Sequence, residues 1–442
     1  MPSRRRAFGW LLRKEVRELA ASKSWWILLL AMGPLVGVAF VSAVRTYAEV
    51  SGLNGTAAGV GEALAPLIGV WGPTFSACEL AAVFLLPFVV IRVVAGDRQS
   101  GALKLELQRG MPPFAHIGAK ALVLLGAWAM AMLAPLSTIL LWKSYGGVIY
   151  PPELATLTLG HLLNAGLTIA LAAAMAELAE HPSTAAILTL SFTVGTWIVN
   201  FFAAVQGGWW ERAAGYTPAV VVAEFQHGLL RLDTLLVSLV LIGAGLAIAA
   251  LWMRIGRPVR RRAAEAAGVL LAAAVLVTVS SHAFASWDLS EARANSFPEP
   301  DEQALRRLPG PLRIEVHLAP EDPRRSDLEA RALSKLRRLL PNLKVDYASS
   351  TSIGMFEQTR PGYGEIWYDL GGKRIMSRVT TAEGVLESIY AVAGVAAPAE
   401  KDEDVFRGHP LAVPPRGATL VYWGFWPVLV LVAAFFTRKA LR

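Results

Sequence analysis

Charged residues are scarce in this chain of 442 residues: they make up 17% of it, whereas hydrophobic residues make up 54%. Soluble globular proteins carry about 25% charged residues, so the composition excludes an ordinary soluble protein. Cysteine is almost absent, because Cys78 is the only one, and this excludes a disulfide framework. The sequence lacks metal-ligand spacings, so we predict no metal site. It also lacks a Gly-x-Ser-x-Gly nucleophile elbow.

What the chain has in abundance is long apolar runs. Seven runs contain no charged residue, and each reaches the roughly 20 residues that a helix needs to cross a bilayer. They are 24–44, 121–142, 154–176, 183–210, 234–253, 266–287 and 418–437. An eighth run, 74–94, carries one acid, Glu79. We therefore expect an α-helical polytopic membrane protein with about eight transmembrane helices.

The distribution of Lys and Arg predicts the orientation. With the N-terminus in the cytoplasm, the inner segments carry 20 basic residues and the three short outer loops carry 4. Both termini are then cytoplasmic, residues 288–417 lie outside, and the expected location is a bacterial inner membrane. The basic excess fits anionic lipid of the inner leaflet. No nucleic-acid partner is predicted, because no segment combines a basic surface with interleaved aromatic residues.

The expected domain organisation has five parts. Residues 1–23 read as an amphipathic interfacial helix, with a plain positively charged leader as the alternative. Residues 24–253 form six spans, residues 254–287 a basic linker and span 7, and residues 418–442 span 8 with a cytoplasmic tail. Residues 288–417 predict a small extracytoplasmic mixed α/β domain and a linker. Pro34, Pro87 and Pro135 lie inside spans and are expected to kink them.

The predicted order of secondary-structure elements in the outer domain is β-α-β-β-β-α. An alternating strand at 312–319 is followed by a helix, a second strand at 343–349, and two strands that flank Gly371 and Gly372. Thr380 and Glu383 have the spacing of a capping box before a final helix. These patterns predict a small mixed α/β domain.

The segment 93–113, VVAGDRQSGALKLELQRGMPP, raises the question of nucleotide binding. Gly96 and Gly101 have the spacing of the first half of a phosphate-binding loop, but Ala102 and Leu103 stand where the Lys and the Ser or Thr are required. ATP hydrolysis by this chain is therefore excluded, and the chain is not predicted to be an enzyme. A short amphipathic helix ended by Pro112 and Pro113 is predicted instead, with a bland cytoplasmic loop as the alternative.

The first half of the chain resembles the membrane subunits of type-2 ABC exporters. The resemblance covers about 1–255 and rests on LLRKEVREL in the N-terminal helix, on Asp97, Arg98, Gly101 and Leu103 after span 2, and on Pro112 and Lys120 before span 3. Ala102 replaces the Thr that is usual there. The resemblance implies that 97–113 is a coupling helix that docks on a separate cytoplasmic ABC ATPase, which binds ATP and Mg. It implies paired permeases, and the coupling residues are Asp97, Arg98, Gly101, Leu103, Leu105, Leu107 and Pro112.

The second half looks like the extracytoplasmic domain of gliding-motility-type ABC transporter auxiliary proteins. In those proteins a span is followed by Trp-Asp-Leu-Thr. This chain has the same motif at 287–290, with Ser290 in place of Thr. The resemblance implies an ABC permease fused to a shortened auxiliary subunit, with a periplasmic or cell-envelope partner for the outer domain.

Polar and ionisable residues inside apolar segments are candidates for function, because burying a polar group or a charge in lipid is costly. They are Glu79, His161, Asn164, Glu224 and His227, each with a structural alternative: an outer-mouth position for Glu79, an interhelical hydrogen bond for His161, and interfacial positions for the others. Two further functions stay open. One is a membrane-anchored sensor or scaffold that uses the outer domain without transport. The other is a membrane enzyme acting on lipid through Glu79, His161 or the group Glu224, His227 and Asp233.

Overall fold

The structure is a computed structural model, which describes residues 4–52, 64–102, 111–206, 209–254, 256–291, 293–319, 322–348, 362–398 and 406–441. These residues contain eight helical stretches that are long and apolar enough to cross a membrane. They are Lys23–Gly52, Leu67–Gln99, Pro113–Ser144, Pro151–Leu178, Pro182–Ala203, Leu232–Trp252, Val259–Ser280 and Leu420–Leu441. The number agrees with the sequence prediction, and the fold is compatible with a helical polytopic membrane protein.

The elements follow one another along the chain. The first helices are α1 (Arg4–Ala21), α2 (Lys23–Gly52), α3 (Gly72–Phe84), α4 (Leu86–Gln99), α5 (Pro113–Ala131), α6 (Leu133–Ser144), α7 (Pro151–Leu178), α8 (Pro182–Gln206), α9 (Trp209–Ala214) and α10 (Pro218–Gln226). There follow β1 (Leu229–Arg231), α11 (Leu232–Trp252), α12 (Val259–Ser280), β2 (Ser286–Asp288), α13 (Glu299–Leu305), β3 (Leu312–Val316), α14 (Pro323–Leu328), α15 (Ser334–Leu339), β4 (Lys344–Tyr347), β5 (Ile366–Leu370), β6 (Lys373–Ser377), α16 (Ala382–Ala393) and α17 (Trp426–Leu441). Short π-helical turns precede α3, separate α14 from α15, and precede α17.

Two of the three prolines that are predicted to kink spans coincide with helix breaks. Proline lacks an N–H and its ring crowds the carbonyl four residues earlier, so a helix breaks just before it. The span Leu67–Gln99 breaks at Leu85, two residues before Pro87. The span Pro113–Ser144 breaks at Met132, three residues before Pro135. Pro34 lies within the unbroken α2.

The chain divides into two compact units, and the division differs from the predicted 288–417 boundary. The first unit comprises 1–196, 218–291 and 407–442, and the second comprises 197–217 and 292–406. Both flanks of the predicted outer domain therefore belong to the first unit.

Backbone and side-chain contacts within the first unit explain this boundary. Strand β2 pairs antiparallel with β1, so that Asp288 lies opposite Leu229. The Glu291 N–H donates to Glu153 Oε1 at 2.7 Å. The backbone N–H of His409 donates to the Leu64 carbonyl at 2.9 Å, and the imidazole Nε2 of His409 lies 3.0 Å from Glu291 Oε2. The Trp287–Ser290 motif thus forms part of a two-stranded ribbon.

Close packing between α2 and the last span holds the C-terminal segment in the first unit. The Trp426 ring lies directly on Gly33, where an added Cβ would come within 2.2 Å of Trp426 Cδ1. Tyr422 and Trp423 cover Gly37 in the same way. The Trp426 indole N–H also donates to the Leu29 carbonyl at 2.8 Å. Small residues four apart allow this approach, as in other packed membrane helices.

The second unit contains a four-stranded sheet of order β4-β3-β5-β6. Strands β3 and β4 are parallel, with α14 and α15 in the crossover, and the other pairs are antiparallel. The predicted element order and the β5–β6 hairpin are confirmed, and Gly371 and Gly372 both have the positive φ that a tight two-residue turn needs. The N-cap of α16 is Thr381, which accepts from the Gly384 N–H at 3.3 Å, one residue later than the capping box predicted.

The Gly33 contact generates a testable expectation. We expect Gly33→Val to lower stability by about 1–3 kcal/mol, because the new side chain must displace the Trp426 ring from a packed position. The measurement is the apparent midpoint of thermal unfolding of the detergent-purified protein. Gly126→Val is the matched control, because Gly126 is an exposed helical glycine with open space at its Cβ. Equal midpoints for the two variants would contradict the proposed packing.

Candidate functional site

Asp97 lies in the last turn of α4 and is buried, with 5% of its surface exposed. Its carboxylate is held by two ammonium groups from different helices. Lys120 Nζ lies 2.6 Å from Asp97 Oδ2, and Lys14 Nζ lies 3.1 Å from Asp97 Oδ1. The residue predicted to face a partner protein is therefore turned into the structure.

Lys120 and Glu15 complete the link between helices. Lys120, in α5, is 1% exposed, and Glu15, in α1, is fully buried. Lys120 Nζ lies 2.8 Å from Glu15 Oε2 and donates to the Val93 carbonyl at 3.1 Å. The ammonium thus has three oxygen partners, which is the number of donors that a lysine can offer.

Glu18 lies at the rim of the same group. Its carboxylate is 3.2 Å from Lys14 Nζ, one helical turn away, and its side chain is 46% exposed. Burial raises the pKa of Glu18, the negative charge of Asp97 raises it further, and Lys14 opposes the rise. We call Lys14, Glu15, Glu18, Asp97 and Lys120 the lysine–carboxylate network.

The carboxylates of the network meet the spacing for a metal ion, since ligand oxygens of Glu15, Glu18 and Asp97 all lie within 4.8 Å of one another. The two lysine ammonium groups already contact these oxygens. A divalent cation would bring its charge against two buried positive charges. The arrangement is therefore better suited to joining helices than to holding a metal.

Arg98 makes a second link, from α4 to the end of α7. Its guanidinium donates to the carbonyls of Glu177 at 3.1 Å, Ala179 at 2.7 Å and Glu180 at 3.3 Å. Cations are favoured at this position because the last carbonyls of a helix lack intrahelical partners. The Glu177 side chain is buried, and its Oε1 has no hydrogen-bond partner within the described part of the chain.

The rest of the predicted coupling segment is only partly described. Gly101 has a positive φ of 77° just after α4, and Pro112 is the N-cap of α5. Leu103, Leu105 and Leu107 lie outside the described residues. Asp97 and Arg98 belong to the end of the span helix α4, so no separate helix begins at 97.

Two of the predicted intramembrane residues are brought together by a residue that the sequence did not single out. Gln226, at the end of α10, donates from Nε2 to Glu79 Oε1 at 2.6 Å. The same nitrogen lies 3.5 Å from His161 Nε2. His161 is buried in α7 against the Phe75 ring, and Asn164 is buried one turn further along α7. This contact agrees with the structural alternative for His161, an interhelical polar contact.

Glu224 and His227 are not part of that group. Glu224 accepts from Arg231 Nη1 at 2.7 Å and from Thr234 Oγ1 at 2.6 Å, and Arg231 also pairs with Asp233. Burial raises the pKa of Glu224, and the Arg231 charge opposes the rise. His227 is exposed, and burial of part of its ring lowers the pKa of the imidazole. These contacts occupy Glu224, so it is not a free general base.

Sequence reasoning missed the partners of Asp97. Lys120 is a single charge within an apolar run, which marks it as unusual. Lys14 and Glu15 are adjacent charges in an amphipathic helix, which marks them as well. Their association across 83 and 105 positions of sequence could not be read from local pattern. Gln226 gave no signal, because it lies in a segment interpreted as interfacial.

No protein-family model, curated protein or solved structure matches this chain.

The network generates a prediction about stability. We expect Lys120→Met to destabilise the protein by about 3–5 kcal/mol, because it removes the buried one of the two cations that Glu15 and Asp97 share and leaves only the partly exposed Lys14. The measurement is denaturant-induced unfolding in detergent. Lys143→Met is the matched control, since Lys143 is exposed at the end of α6. If both lysine variants unfold at the same denaturant concentration, the network contributes no net stability.

Proposed function

We propose that this chain is the membrane-spanning subunit of an ABC exporter in a bacterial inner membrane. It would work with a separate cytoplasmic ATPase, which binds ATP and Mg, and with a second copy of itself or a homologous permease. Both termini would be cytoplasmic, and the second unit would contain the extracytoplasmic domain. The proposal rests on the resemblance of 1–255 to type-2 exporter permeases, and one structural observation supports it best.

That observation is the convergence of the resembling segments. The N-terminal helix supplies Lys14 and Glu15, the end of span 2 supplies Asp97, and the start of span 3 supplies Lys120. Segments that are far apart in sequence therefore share one buried ionic contact. A mechanical role explains why charges are kept in this position, because α1, α4 and α5 must then move together.

The proposed mechanism is displacement of this end of the spans. ATP closes the ATPase dimer, and the ATPase moves the segment 97–113 that docks on it. The lysine–carboxylate network transmits the displacement from α4 to α1 and α5, and Arg98 transmits it to the end of α7. The paired permeases then alternate the access of their substrate path. In this mechanism the chain itself holds no nucleotide.

A membrane-anchored partner-binding protein is the second candidate. The sheet of the second unit buries one face, with Ile314 and Tyr368 in its core. The other face presents Trp367 beneath the Arg374 guanidinium, 4.3 Å from the ring centre, with Met376 exposed beside them. A mixed polar and aromatic face of this kind suits recognition of a partner.

The coupling segment provides the test of the first proposal. We expect the tagged full-length chain, purified from its native host, to carry an ATP-hydrolysing subunit. The variant Leu103→Ser with Leu107→Ser should lose most of that subunit and at least about tenfold of the ATPase activity, because a docked apolar pair is worth about 1–3 kcal/mol. The measurement is ATPase activity per mole of purified chain.

Leu441→Ser is the matched control, because Leu441 is a partly exposed leucine in the C-terminal tail, on the side proposed to be cytoplasmic. It should retain the subunit and its activity. A chain that purifies with no ATPase, or serine variants that keep full activity, would contradict the proposal. In that case a partner bound only through the second unit would favour the scaffold.

A further inference from the structure

A cleft of about 240 Å³ opens on the surface of the first unit between α4 and the beginning of α8. Its walls are Phe88, Ile91, Arg92, Ala95, Gly96, Gln99, Pro182, Ser183 and Ala186. Asp97 and Arg98 belong to the same stretch of α4 but are engaged in the contacts described above. The cleft is therefore separate from the lysine–carboxylate network.

Arg92 is the residue that distinguishes this cleft. It lies within the candidate span Leu67–Gln99, and its side chain is exposed. No described residue makes an ion pair or a hydrogen bond with its guanidinium. An arginine on the outside of an apolar helix is costly in lipid unless the side chain reaches the headgroup region, where it meets phosphate. Asp97, in the last turn of α4, is five positions after Arg92, which is about 7.5 Å along the helix. The Arg92 side chain is long enough to extend over that distance toward the end of the span.

The rest of the cleft has two chemically different ends. Ser183 is in the first turn of α8, where backbone N–H groups lack intrahelical acceptors and the helix dipole favours an anion. Ser183 is exposed and lines the cleft. Phe88, Ile91 and Ala186 form the apolar end, and the Phe88 ring is 48% exposed. A ligand with an anionic head and a hydrocarbon body would match both ends.

We infer that this cleft binds one anionic phospholipid. The phosphate pairs with Arg92 and lies at the first turn of α8, and an acyl chain lies along Phe88, Ile91 and Ala186. A small soluble anion would satisfy Arg92 but leave the apolar wall uncovered. The wall residues Gly96 and Gln99 flank Asp97 and Arg98 in sequence, so lipid bound there would lie at the same end of α4. The inference requires membrane insertion but not coupling to an ATPase, so the two proposals can fail independently.

Lipid titration of the purified full-length protein tests the inference. The probe is phosphatidylglycerol, added to delipidated protein in detergent, and the measurement is the Kd of the first bound lipid by native mass spectrometry. We expect Arg92→Gln to weaken that Kd at least about tenfold, because a charge-assisted contact with phosphate is lost. Arg331→Gln is the matched control, since Arg331 is an exposed arginine of the second unit and should change the Kd by no more than about twofold.

A second variant addresses the apolar end. Ala186→Leu fills the cleft without changing charge and should also weaken phosphatidylglycerol binding, with thermal unfolding checked to show that the protein is folded. Zwitterionic phosphatidylcholine should bind equally weakly to the wild type and to Arg92→Gln. The inference is overturned if Arg92→Gln binds phosphatidylglycerol as tightly as Arg331→Gln. It is also overturned if millimolar inorganic phosphate displaces the lipid, because the site would then recognise phosphate alone.

Discussion

The structure depends on one buried ionic contact, in which the Lys120 ammonium lies between the carboxylates of Glu15 and Asp97. Removing such charges from water costs several kcal/mol each, and only close, well-satisfied geometry recovers that cost. The contact is therefore weak evidence for high stability but strong evidence for a fixed arrangement. Apolar helix faces gain little free energy by contacting another helix instead of lipid, so close packing and polar contacts decide which faces meet. Here they bring α1, α4 and α5 to a common point.

Two other contacts extend that arrangement through the first unit. Arg98 connects α4 to the final carbonyls of α7, and Trp426 packs on Gly33 so that the last span lies against α2. The β1–β2 ribbon and the His409–Glu291 pair tie the flanks of the second unit's sequence into the first unit. Contacts at both ends of the spans thus involve residues distant in sequence. Through Asp97 and Arg98, the last turn of α4 is thus in direct contact with α1, α5 and the end of α7.

Local pattern predicted most of the elements but not their contacts, and it missed β1, β2 and α13. The eight apolar stretches, the strand order along the second unit and the Gly371–Gly372 turn follow from length, alternation and glycine conformation, which are properties of neighbouring residues. The pairing of Lys120 with Glu15 can be predicted only if it is known which helices are neighbours. The apolar periodicity of each helix does not contain that information. The Trp287–Ser290 motif lies across the predicted boundary between span 7, which ends at 287, and the outer domain, which begins at 288. Its pairing with β1, more than fifty residues earlier, places it in the first unit.

A double-mutant cycle between Asp97 and Lys120 tests the central claim most directly. The unfolding free energies of the wild type, Asp97→Asn, Lys120→Met and the double variant would be measured in the same detergent. The account predicts a coupling energy of at least about 1.5 kcal/mol, as found for close charge pairs that are removed from water. Additive effects, with a coupling energy near zero, would contradict it, because α4 and α5 would then be held together without this contact.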